Sequence, residues 1–115
     1  MLNKDSGSML VTGVTLVRSD FLRENRSPIE DFLKDHAESA LFTSGHPEEA
    51  AALIAAQGIV EKAPIAQKAL PYCNIVCITG QEMKDALSGY LSILMEQDAK
   101  SIGGQMPGDD FYYMP

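Results

Sequence analysis

The stretch Met9-Leu10-Val11-Thr12-Gly13-Val14-Thr15-Leu16-Val17 restricts the fold of this chain more than any other. It is rich in β-branched residues and apolar at both odd and even positions, the pattern of a strand covered on two faces. A strand of that kind needs neighbours on each side. The only other stretch with extended character is the short run Cys73-Asn74-Ile75-Val76-Cys77-Ile78, whose length does not separate a strand from irregular buried chain. Two short strands do not make a stable sheet. Val11 to Val17 is therefore expected to lie inside a sheet whose other strands are encoded elsewhere. In the competing arrangement the helices close on one another and the first strand is left as a bare edge, which favours self-association or strand exchange.

Everything between and after these runs is written in helix code. Ser27-Pro28-Ile29-Glu30 and Thr79-Gly80-Gln81-Glu82 each place a hydroxyl three residues before a Glu, the capping-box grammar of a helix start. After Arg18-Ser19-Asp20 closes the strand, one helical turn at Phe21–Asn25 leads into the first of these starts. Ile29, Phe32, Leu33, His36, Ala37, Ala40 and Leu41 then recur at the spacing of one helix face, and Gly45 ends that helix. Pro47 opens a second helix with Glu48 and Glu49 in its first turn, and Gly58 closes it. A shorter helix runs from Pro64 to Leu70 and is stopped by Pro71. The last helix follows Thr79 with Met83, Leu87, Tyr90, Leu91, Leu94 and Met95 as its buried stripe. The fold class expected is a mostly helical α/β fragment of about four helices with one or two strands. Residues 1–10 form a flexible entrance, and 11–115 a single packed unit.

Bulk chemistry narrows function by exclusion. With 115 residues, 45% of them hydrophobic, the chain suits one core. Its net charge of −7 carries no Lys/Arg cluster, which disfavours nucleic acid. The longest apolar run, Ala50 to Ala56, is far short of the roughly 20 residues that span a bilayer, so no direct membrane span is expected. Met1 to Ser8 lacks a basic segment followed by an apolar stretch, so no secretory signal is read in this chain. If Asn74 to Ile78 is extended, the Cys73 and Cys77 α-carbons lie roughly 13 Å apart. A disulfide reaches about 7 Å at most, so both are read as small buried apolar residues.

Catalytic and metal chemistry is equally sparse. No nucleophile elbow or Cys/His pair in a familiar context occurs. Glu48-Glu49 is explained by a helix start and Asp109-Asp110 by an exposed tail. His36 reads as a partly buried histidine with a local partner. Two cysteines and two distant histidines do not make a zinc site. The expectation is no enzyme, no catalytic residue, no metal and no cofactor.

The succession Val14-Thr15-Leu16-Val17-Arg18-Ser19-Asp20-Phe21-Leu22, then Pro28, Phe32-Leu33 and His46-Pro47-Glu48-Glu49-Ala50-Ala51, resembles the closing portion of ABC-transporter substrate-binding proteins of the nitrate/sulfonate/taurine and thiamine-precursor group. Ile65 to Ile75, Thr79 to Lys84, Lys100 to Pro107 and Asp109-Asp110-Phe111-Tyr112-Tyr113 extend the likeness over nearly the whole chain from about Leu10. The resemblance implies part of one lobe of a type II periplasmic-binding-protein fold. It implies a parent, periplasmic or lipid-anchored outside the cytoplasmic membrane, that grips a small organic or anionic solute in a cleft and delivers it to an ABC permease. By that family's architecture Thr12 and Gly13 are the residues placed nearest the cleft and are carried over as ligand-binding candidates. The chain then corresponds to a truncated carboxy-terminal piece, not ligand-competent alone. The alternative is a freestanding helical interaction or dimerisation module, with a homodimer or strand-exchanged oligomer as its product.

Overall fold

The computed structural model describes residues 10–115; most of the expected flexible entrance, residues 1–10, and Met9 of the expected strand lie outside the described residues. Five α-helices follow in order: α1 Ser19–Glu24, α2 Arg26–Gly45, α3 Pro47–Ala56, α4 Ala63–Cys73 and α5 Gly80–Gln97. Two 3₁₀ turns, Ala99–Ile102 and Asp109–Phe111, complete the elements among the described residues. There is no strand among the described residues, which corrects the α/β expectation. The physical reason is that a strand is defined by its ladder. Residues 10–18 and 74–79 have no regular structure, and neither supplies the other with a partner. High β propensity describes a fit to a half-buried pleated surface, and without that surface it has nothing to act on.

The chain divides into two compact units. One comprises Asp20–Cys77; the other comprises Ile78–Pro115 together with residues 10–19. In the first, α3 and α4 pack against one another and α2 lies against both. The core there is built from Ala50, Ala51, Ala66 and Leu70, with Phe42, Ile54 and Val60 around it. Ala51 is 0% exposed. Three alanines and one leucine let helix backbones approach closely, but they remove little apolar area from water. At about 25 cal/mol per Å², such a core stabilises modestly. In the second unit α5 packs against the Ala99–Ile102 turn. Its stripe residues Met83, Leu87, Tyr90, Leu91, Leu94 and Met95 are half-buried, and no α5 residue is fully buried.

The helix boundaries depart from the expected grammar in instructive ways. Neither capping box forms. α2 starts at Arg26 with Asn25 as its N-cap, so Ser27 lies inside the helix. Thr79 does occupy the N-cap of α5, yet its side chain makes no capping hydrogen bond. Pro28 falls at the third helical position rather than the first. No helical bond is lost, because the first intrahelical donor is the Ile29 amide, bonded to the Asn25 carbonyl at 3.1 Å. Pro71 does not stop α4, which runs on to Cys73 and ends where Asn74 adopts left-handed geometry at φ 51° and ψ 50°. A side-chain cap that sequence grammar did not single out is made by Asp98, whose Oδ1 accepts from the Lys100 amide at 3.1 Å.

Candidate functional site

Thr12 and Gly13, the two residues carried over as ligand contacts, are both exposed and lie in the irregular segment that precedes α1. Nothing lies within 4 Å of a β-carbon built at Gly13. The same segment displays Val14 and Leu16, 58% and 80% exposed. Thr12 and Gly13 thus sit in a stretch of solvent-facing apolar chain.

The other sequence candidates separate likewise. His36 is exposed rather than partly buried, and its local partner is Phe32, one turn earlier, with ring centroids 5.6 Å apart and planes at 19°. His46 stacks in the same way on Phe42 at 4.9 Å. Both contacts pair residues four apart in sequence, one turn of helix. Cys73 is exposed and Cys77 half-buried, and both are free thiols. The reading of Cys73 as buried is therefore corrected: the helix that Pro71 was expected to stop continues and carries it to the surface. Glu48 and Glu49 stand exposed in the first turn of α3. Among the described residues no group of three or more His, Cys, Asp or Glu side chains is placed to hold a metal ion.

The most organised set of polar and aromatic groups lies elsewhere, where the tail returns to α5. Lys84 Nζ meets Asp109 Oδ1 at 3.0 Å and stands 5.9 Å from the centroid of the Tyr112 ring. Tyr112 is 7% exposed and packs edge-to-face on Phe111, with centroids 5.3 Å apart and planes at 89°. Its hydroxyl oxygen is buried without a hydrogen-bond partner. Burial holds the phenol pKa above its ordinary 10.0. The Lys84 ammonium opposes that shift and the Asp109 carboxylate adds to it. Next to this cluster lies an open hollow of about 340 Å³, lined by Leu91, Ile102, Met106, Pro107 and Phe111 with Gln105 as its polar side chain.

No family model matches the chain, and neither does a curated protein or a solved structure. Function therefore rests on the residues themselves. The tail cluster was visible in the sequence only as an acidic-aromatic ending. What the residue string lacked was any sign that Lys84 and Asp109 meet, since that contact depends on the tail turning back after Gly103-Gly104. Chemically, the cluster offers one ion pair, one cation facing an aromatic ring and one buried phenol of raised pKa. Among the described residues no helix is long and apolar enough to cross a membrane.

Proposed function

We propose that this chain is the carboxy-terminal portion of the solute-binding component of an ABC importer, acting in recognition and delivery of a small organic or anionic solute and not in catalysis. The parent works outside the cytoplasmic membrane and hands its solute to a permease. The observation that carries this reading is the uncovered apolar segment 10–17. Leu10, Val14, Leu16 and Val17 all face solvent, and residues 10–17 make no hydrogen bond among the described residues. Backbone polar groups without protein partners, beside exposed branched apolar side chains, support the reading of a segment whose proper surroundings lie in another part of a larger protein. Helix α3 supports the same conclusion. After Glu49 every residue through Ala56 is apolar, and a helix apolar on all sides is a helix made for burial. Yet Ala52, Leu53 and Ala56 are exposed.

A cleft that covers most of a ligand needs two walls, so this chain alone binds solute feebly or not at all. Thermal-shift measurements against taurine, alkanesulfonates, nitrate and pyrimidines are expected to show no displacement. The deciding experiment is to sequence upstream DNA. An in-frame continuation encoding an export signal and two lobes supports the transporter reading. A stop codon followed by a ribosome-binding site just before Met1 overturns it.

The second reading, a freestanding module that dimerises through its exposed apolar surface, draws on the same side chains together with Ile59, Ile65 and Tyr72, which are also exposed. Light scattering on the purified chain separates the two. A stable dimer at micromolar concentration favours the module; concentration-dependent, non-saturating association favours an incomplete protein.

A further inference from the structure

Helices α3 and α4, which belong to one compact unit, each carry a second face that the unit leaves uncovered. Inward, Ala50, Ala51 and Ile54 of α3 pack with Ala66 and Leu70 of α4. Outward, Glu49, Ala52, Leu53 and Ala56 of α3 are all exposed and recur at i, i+3, i+4 and i+7, the spacing of one helix face. Ile65, Lys68, Ala69 and Tyr72 of α4 are exposed at the same spacing. The three large apolar side chains among them, Leu53, Ile65 and Tyr72, keep more than half of their surface in water.

The two outward faces match in size and in charge. On α3 two alanines flank Leu53; on α4 two large side chains flank Ala69. Small residues opposite large ones let helices interdigitate. The α3 face carries a carboxylate and the α4 face an ammonium, and α4 has no acidic residue in a chain of net charge −7. Among the described residues neither Glu49 nor Lys68 has an ion-pair partner. Neither face suits a copy of itself, because that sets Glu49 beside Glu49 or Lys68 beside Lys68. Within one copy they cannot meet, since α3 and α4 already touch through their inward sides. We propose that the partner is a second copy of this chain, the outward face of α4 in one copy docking on the outward face of α3 in the other, with Lys68 paired to Glu49. Each copy carries both faces, so the contact is made twice in a two-fold dimer or repeats along a row. The proposal concerns this chain rather than its parent and does not rest on the transporter reading.

A charge-exchange cycle on the full chain tests it, with the association constant read by sedimentation velocity across micromolar concentrations. Glu49→Lys and Lys68→Glu are each expected to weaken association by about 5-fold, the upper end of the exposed-pair range, because reversal replaces attraction by repulsion. The double variant Glu49→Lys with Lys68→Glu restores the pair in the opposite sense and is expected to return within about 2-fold of the parent. Glu48→Lys is the control. It changes net charge by the same amount in the same helix turn, yet Glu48 lies off the outward face, so association is expected not to fall. All four positions are exposed, and far-ultraviolet circular dichroism verifies that each variant keeps its helices. The proposal is overturned if the parent stays monomeric throughout, if either single reversal leaves association unchanged, if Glu49→Lys does no more than Glu48→Lys, or if the double variant associates no better than the singles. The upstream reading frame tests the transporter reading separately, so either can fail without the other.

Discussion

Replacing Tyr112 by Phe should make this protein more stable, against the usual direction of substitutions at buried positions. The side chain is 7% exposed and its hydroxyl oxygen has no hydrogen-bond partner. An unsatisfied hydroxyl taken out of water costs roughly 1–3 kcal/mol. Phenylalanine keeps the ring, and with it the edge-to-face contact to Phe111 and the Lys84 ammonium at 5.9 Å. The loss is the small space left by one oxygen, a few tenths of a kcal/mol at about 24 cal/mol per Å³. The balance is a gain of about 1 kcal/mol. In a domain of this size, that raises the melting temperature by about 4–8 °C. Urea denaturation followed by far-ultraviolet circular dichroism measures the gain, with heat denaturation as the second readout. Tyr72→Phe is the control: at 84% exposure its hydroxyl is already hydrated, so the change should fall within about 0.5 kcal/mol. A Tyr112→Phe protein less stable than the parent by 1 kcal/mol or more would refute the reasoning, because it would require a partner for the hydroxyl.

Three further outcomes are expected. Tyr112 also carries a pH dependence: its raised pKa means that the folded protein holds this proton more tightly than the unfolded chain. The associated stability is complete below about pH 10 and is lost as pH rises through the folded-state pKa. Melts from pH 8 to 11 should therefore show an alkaline decline that Tyr112→Phe makes shallower; an identical decline in both proteins would count against it. Leu70→Ala removes the only large side chain among the five buried residues of the first unit, the others being alanines, and should destabilise it by about 2–5 kcal/mol, measured by urea denaturation. Leu16→Lys alters a side chain that is 80% exposed, so stability should stay within about 0.5 kcal/mol while self-association by light scattering falls. A large stability loss from Leu16→Lys would show that this residue is covered in solution.

Helix faces were legible in the sequence because the information is local. Ile29, Leu33, Ala37 and Ala40 recur every three or four residues, and all are buried or half-buried along α2. The same stripe failed at Phe32 and Leu41, which are exposed, because periodicity gives a direction without saying whether anything lies there. Helix starts were less legible. The capping-box pattern at Ser27 competes with Asn25 two residues earlier, and Asn25 prevails. The strand at Val11 to Val17 failed for a non-local reason, since pairing is decided by residues the pattern does not contain. The tail cluster was missed similarly: Asp109 read as part of an exposed tail, and nothing in the sequence tied it to Lys84. Thr12 and Gly13 drew attention only through family likeness, and nothing in their own chemistry marks them.

Asn74 leaves a mark on how this sequence can drift. It makes the left-handed exit of α4 with a β-carbon in place, at φ 51°, and its Nδ2 donates to the Tyr72 carbonyl at 3.4 Å. Glycine and aspartate tolerate that geometry, whereas a branched side chain pays about 1–2 kcal/mol to enter it. Backbone geometry alone therefore favours Asn, Gly or Asp at this exposed position. Its invariance in any lineage would record backbone handedness, and reading it as a binding signature would be a mistake.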